Sequence, residues 1–382
     1  MGKHKIKIHR RRTALGGRLD RYVGWTFASS YVTALFVVMG LFVIMDMASN
    51  LDDYLEPWPD GSSASSTTVV LYYLFNLPIL FLQAAPFITL IAGLFTLTRM
   101  LSSNEVGAVL AAGVSGRRLL MPIFFGGFVA MSGMVVLREA ATNTVLPVRD
   151  SLHYVLEEQS TDRVFQMLRM RDLSGSILRF MEYRPGMEGQ PAQGDGLLLV
   201  RREGAEWPWF VKAERATYTE RDGEWGLALE GGKRTEETES RKIVTNVDWV
   251  GQEDFEFTPE QALTYQRARR NPLELSFVEA MELARRDPDN VVYQTLMQYH
   301  LTFPLANLVL LLVGLPLMFR HDRGQGLEGV FKGLLLCLFF FAGDFVCRNL
   351  GVQGALDPLL ASWLPVLLFG SVGVVLFDGI RT

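Results

Sequence analysis

Tyr22–Met47 reads YVGWTFASSYVTALFVVMGLFVIMDM, an apolar run whose only charged residue, Asp46, comes at its end. About 20 apolar residues carry a helix across the hydrocarbon layer of a bilayer, so this run is expected to span a membrane. A basic terminus followed by an apolar run can also be a signal peptide. Val23–Met45 is too long for the apolar core of one, and no cleavage site follows it. Nor does Met1-Gly2 open an acylation signal, because Ile6 stands where Ser or Thr is required.

Outward from this run, the same rule gives five more spans, at 69–98, 119–137, 294–319, 326–350 and 357–378. Pro78, Pro86, Pro122, Pro304, Pro316 and Pro365 fall inside the spans, where neighbouring helices can satisfy the freed carbonyls. The spans form two groups of three around a charged, soluble stretch. Three units follow: an N-terminal membrane half (1–141), a β domain (142–270), and a connecting helix with the C-terminal membrane half (271–382). The expected fold is an α-helical membrane protein with six transmembrane helices, three plus three, and an inserted all-β, jelly-roll-like domain. A net charge of −4 gives no reason to expect a nucleic-acid partner. Cys337 and Cys347 lie almost three helical turns apart, so they are expected to be buried thiols rather than a disulfide.

Lysine and arginine asymmetry orients the spans. The N-terminus carries Lys3, Lys5, Lys7, Arg10, Arg11, Arg12, Arg18 and Arg21, whereas the loop after the first span offers Asp52, Asp53, Glu56 and Asp60. Arg99, Arg117 and Arg118 follow the second span; Arg320 and Arg323 follow the fourth. Both termini and these two loops are therefore expected in the cytoplasm, and the β domain outside it.

From about Arg163 the pattern changes to short runs such as Ser176–Tyr183, Trp209–Thr219 and Glu224–Glu230, punctuated by Asp222-Gly223 and Gly231-Gly232. Such spacing predicts an antiparallel sandwich or jelly roll. Residues 272–286 read as an amphipathic helix capped by Asn271, either lying on the membrane surface or packing on the soluble domain.

No catalytic constellation or cofactor site is legible. His4, His9, His153, His300 and His321 lack metal-ligand spacing, and Gly231-Gly232-Lys233-Arg234 is not a phosphate-binding loop. Three features stand out. The loop from Ser102 to Gly116 predicts a short helix capped by Ser103 or Asn104 and ended by Gly113; it is either a tight connection or a docking element. Asp344 and Arg348, at i and i+4 in the fifth span, form an interface anchor or part of a substrate path. The polar opening of the fourth span, from Gln294 to Thr302, packs helices or lines a wet cavity.

These stretches together resemble the LptF/LptG family of lipopolysaccharide-export permeases. The likeness is carried by Leu19-Asp20-Arg21-Tyr22, by Glu105 ahead of Ala111-Ala112-Gly113-Val114-Ser115, and by Ala216-Thr217-Tyr218 with Trp225-Gly226-Leu227. His300-Leu301-Thr302-Phe303-Pro304-Leu305 and Gly314-Leu315-Pro316-Leu317 complete it. It covers nearly the whole chain. The resemblance implies a bacterial inner-membrane permease subunit that pairs with a second permease of the family and is driven by a cytoplasmic ABC ATPase dimer. Its cargo would be lipopolysaccharide or a related membrane lipid, handed to a periplasmic jelly-roll lipid-transfer protein. Glu105, Ala111, Gly113 and Ser115 would then mark the ATPase-coupling helix. The first and fifth spans would form a lateral gate, with Asp46, Asp344 and Arg348 on the lipid path. One departure from the family lies at the outer end of the gate, where the first span ends in acidic residues and the fifth offers only Arg348, against the basic groups that a phosphorylated cargo favours. Rival readings are a membrane-anchored sensor or scaffold with a ligand-binding β domain, and a secondary transporter.

Overall fold

The computed structural model describes residues 17–55, 65–157, 164–186, 190–201, 209–238, 241–319 and 326–380. Lys3 to Arg12, Glu56, Asp60, Arg320 and Arg323, on which much of the orientation rests, lie outside the described residues, as do His4, His9 and His321.

The first half holds α1 (Arg18–Leu55), α2 (Ser66–Ser102), the short α3 (Glu105–Ala111), α4 (Gly116–Thr144) and α5 (Leu146–Glu157). The second holds α6 (Pro259–Arg270), α7 (Phe277–Arg286), α8 (Val291–Thr302), α9 (Ala306–Phe319), α10 (Gly326–Val352) and α11 (Pro358–Asp378). Six stretches are long and apolar enough to cross a membrane: Arg18–Asp52, Ser66–Ser102, Gly116–Thr142, Val291–Phe319, Val330–Val352 and Pro358–Asp378. The fourth is α8 and α9 in series, joined by a 3-10 turn over Phe303–Leu305 where Pro304 removes a backbone donor. Asn307 repairs the break by donating from Nδ2 to the Pro304 carbonyl at 2.9 Å, while its Oδ1 accepts from the Thr89 hydroxyl at 2.7 Å.

The centre of the bundle is α2 against α9, where small residues let the backbones approach. A Cβ built on Gly93 would come within 2.5 Å of the Leu311 side chain, and one on Gly314 within 2.6 Å of Leu90. The surrounding α1, α4, α10 and α11 expose apolar residues such as Trp25, Phe36, Phe125, Phe339 and Val375.

Because successive spans alternate in direction, the membrane unit has two distinct ends. The β domain follows α4 and precedes α8, so the ends of α1, α4 and α10 and the starts of α2, α8 and α11 share the β-domain end. The α3 turn sits at the opposite end.

The domain contains β1 (Phe165–Gln166), β2 (Arg169–Arg171), β3 (Ile177–Arg179), β4 (Glu182–Arg184), β5 (Gln193–Arg201), β6 (Trp209–Arg221), β7 (Glu224–Glu230), β8 (Lys233–Thr238), β9 (Arg241–Asn246) and β10 (Trp249–Gly251). Every pairing among them is antiparallel. The sheet forks at β6, whose first residues pair with β8 and whose last pair with β7. Between the branches lies a core that includes Phe180, Tyr183, Leu199, Val211 and Phe257.

Two helices depart from the all-β expectation for 142–270. α5 continues α4 beyond the membrane, and α6 packs Ala262, Tyr265 and Ala268 into the β core. α6 begins at a capping box between Thr258 and Gln261, a signal visible in the sequence but unread. The helix expected over 272–286 is also corrected. Pro272–Glu274 is a separate 3-10 turn, and α7 starts at Phe277 because Ser276 and Glu279 form a capping box of their own. Its buried side, Ala280, Leu283 and Ala284, faces protein, and Ala280 and Leu283 join the β core.

Candidate functional site

At the end of the membrane unit away from the β domain, α2 passes into α3 through a two-residue turn. The side-chain cap expected from Ser103 or Asn104 is not made. Ser103 Oγ donates back to the Arg99 carbonyl at 3.0 Å, and Asn104 takes a left-handed conformation with φ of 57°. Gly113, with φ of +82°, ends the turn, and its N–H donates to the Leu110 carbonyl at 3.0 Å. Val106 is buried beneath α3, while Gly107, Ala108, Leu110, Ala111, Ala112 and Gly113 are exposed. Ser115 sits at the head of α4, where its carbonyl accepts the Leu119 N–H at 3.2 Å.

Glu105 does not join that exposed face. The Tyr22 hydroxyl donates to Glu105 Oε1 at 2.9 Å. Nearby, Arg118 pairs with Asp20 at 2.8 Å, and Arg117 pairs with Asp378 at 2.9 Å. α1 is thus tied to α3 through Tyr22 and to α4 through Asp20, and α4 is held in turn to the end of α11.

At the β-domain end, Arg348 Nη1 lies 3.8 Å from Asp344 Oδ2, and the guanidinium sits 4.7 Å from the ring centre of Tyr299 on α8. Asp344 is buried. Asp46 stands apart from them, accepting from Asn50 Nδ2 at 3.0 Å on its own helix. α1 packs against α2, α4 and α5, whereas α10 packs against α2, α8, α9 and α11. The structure therefore keeps Asp344 with Arg348 but does not add Asp46 to them.

Sequence reasoning missed two groups here. Arg138, one residue past the expected end of the third span, is buried, with Nη1 2.7 Å from His300 Nδ1 and 3.4 Å from the Leu273 carbonyl. Beside it, Arg149 of α5 is buried in a salt bridge with Glu274 and lies 3.0 Å from Asp150. Arg267 of α6 completes the cluster, 3.6 Å from Asp150 and 2.9 Å from Glu279. Burial pushes the Glu274 carboxyl above the usual carboxylate range, and the Arg149 guanidinium opposes that shift. The turn at Leu273-Glu274 is thus gripped by one arginine from α4 and one from α5. His300 had been marked by the polar opening of its span; the pairing partners 125 and 162 residues away had no local signal.

Among the described residues, no three His, Cys, Asp or Glu side chains converge as a metal site. The model of one protein family, the lipopolysaccharide export system permease LptF/LptG, matches residues 21–378. No curated protein matches the chain.

Proposed function

This chain belongs to the LptF/LptG family of lipopolysaccharide export system permeases, and on that premise we propose that it is one of two permeases in an ATP-driven exporter. In this reading it takes lipopolysaccharide or a related glycolipid from the inner membrane and passes it to a periplasmic jelly-roll protein. The termini and α3 face the cytoplasm, where an ABC ATPase dimer binds, and the β domain faces the periplasm.

The observation that carries this reading is the construction of α3. It presents a face of small residues with one exposed leucine, Leu110, a shape that suits a groove on another protein. Beneath that face Glu105 is held by Tyr22, so movement of α3 is passed directly to α1. In the proposed exporter α1 and α10 form the lateral gate, and the broad apolar faces of both helices are consistent with contact to lipid or to a partner permease. Asp46, Asp344 and Arg348 lie toward the β-domain end of those helices, where cargo would leave. Ala111, Gly113 and Ser115 shape the coupling turn rather than donate chemistry.

Co-expression with an affinity-tagged ABC ATPase tests the assignment. Wild type is expected to co-purify with the ATPase and the Glu105→Arg variant to lose it. Undiminished association of the variant would contradict the coupling role.

A further inference from the structure

The basic groups that are scarce at the outer ends of the first and fifth spans are present on the β domain. β2 and β3 pair so that Arg169 stands directly opposite Arg179. Like charges directly opposed across an antiparallel pair repel. Among the described residues neither has a carboxylate within ion-pairing distance; Arg179 reaches only the Met167 and Met181 sulfurs, at 3.2 and 3.6 Å. Arg269 of α6 points its Nη1 at the Gln166 and Met167 carbonyls, at 3.4 and 3.0 Å. Met167 itself is held at a φ of 56°, an uncommon conformation for a residue with a side chain. Arg171 alone is neutralised, by Asp287.

These residues wall an open cleft of about 690 Å³, in which four arginines face one carboxylate, Asp287. The rest of its lining places it at the membrane surface. Val352 is the last residue of α10, one turn beyond Arg348, and Val292 and Tyr293 open α8. The cleft is therefore cationic on its β-domain side and, where the spans begin, carries Val292, Tyr293 and Val352 beside the polar Asn290. A free anion would use only the first of these features; an amphiphile uses both.

We infer that this cleft binds the phosphate headgroup of a lipid at the β-domain face of the membrane, with Arg169, Arg179 and Arg269 as its ligands. Arginine forks suit phosphate oxygens, and a dianion between Arg169 and Arg179 removes their mutual repulsion. The inference rests on the reading of the chain as a lipid permease and adds a waypoint for a phosphorylated headgroup beyond the end of α10.

Native mass spectrometry of the detergent-solubilised chain, without any ATPase, tests it. The probes are dioctanoyl phosphatidic acid, dioctanoyl phosphatidylcholine and glycerol phosphate. Wild type should bind phosphatidic acid in preference to the other two. The double variant Arg169→Gln/Arg179→Gln should bind it about tenfold more weakly, the weight of a lost charge-assisted contact. Thermal melting controls for misfolding: relief of the repulsion should leave the variant at least as stable as wild type. Unchanged affinity in the variant, a fall in its melting temperature, or equal binding of glycerol phosphate would each overturn the lipid-headgroup assignment. Since no transport or ATPase is involved, loss of this site and failure of the exporter reading are separately visible.

Discussion

Arg138 on α4 and His300 on α8 meet at 2.7 Å inside the bundle, and Arg138 also reaches the Leu273 carbonyl at the foot of the β domain. Arginine carries only donors, so His300 Nδ1 accepts and its proton rests on Nε2. One side chain thus joins a span from each half of the membrane unit to the turn beneath the sheet. Replacing Arg138 by Leu should destabilise the protein by about 1–3 kcal/mol, the usual cost of leaving buried hydrogen-bonding groups unpaired. His300→Gln, which keeps an acceptor, should lose less than His300→Leu. Thermal melting in detergent checks the order, and equal losses for the two His300 variants would refute the hydrogen bond's role.

Arg149 and Glu274 form the second tie at that turn, with both side chains largely buried. Removing either partner strands a buried charge, so Arg149→Leu or Glu274→Leu alone should cost roughly 3–5 kcal/mol. The double variant should recover most of that loss. Denaturation of the three variants measures the coupling; additive losses would show that the pair is not an energetic unit.

Packing at the centre of the bundle makes a sharper contrast. Gly93→Leu should cost about 1–3 kcal/mol through overpacking, because even a Cβ would stand 2.5 Å from Leu311. Gly40→Leu should be tolerated, since nothing lies within 4 Å of a Cβ there. Folded yield and melting temperature of the two variants decide the matter, and equal behaviour would contradict the α2–α9 packing.

Tyr265 gives the β domain an alkaline limit. Its hydroxyl donates to the Arg171 carbonyl at 2.6 Å and accepts the Arg171 N–H at 3.2 Å, and burial pushes its pKa up to about 12. Because the folded value is raised, its contribution is complete below the ordinary value of about 10. It is lost as pH rises from there through about 12. Wild type should exceed Tyr265→Phe in stability by about 1 kcal/mol near neutral pH, with the gap closing under alkali. A gap that widens with pH would reverse this account.

Span number and the antiparallel sheet were legible because both rest on composition and short-range pattern. Twenty consecutive apolar residues cannot be much besides a span, and Asp222-Gly223 or Gly231-Gly232 marks a turn wherever it falls. α6 was missed because Gln261, Thr264 and Arg267 dilute its apolar side, where only Ala262, Tyr265 and Ala268 are buried and Leu263 is partly so. Pro272 drew the start of α7 five residues early, although Ser276 and Glu279 form the stronger signal. Of the candidate site, Glu105 and the Asp344–Arg348 pair could be found by inspection. The contacts of Tyr22 with Glu105 and of Arg169 with Arg179 could not, because each depends on register or packing between separate elements. The Asp20 and Tyr22 positions were noticed only as likeness; the structure gives both a partner on the α3–α4 side.

In the proposed exporter, lipid moves at the expense of ATP through the contact between α3 and α1. The most direct measurement is ATP-dependent release of lipopolysaccharide from proteoliposomes containing the chain, a second permease of the family and the ABC ATPase, with a soluble jelly-roll acceptor outside. Release should require ATP and should be abolished by Glu105→Arg. Release that proceeds equally without ATP, or survives that substitution undiminished, would contradict the account.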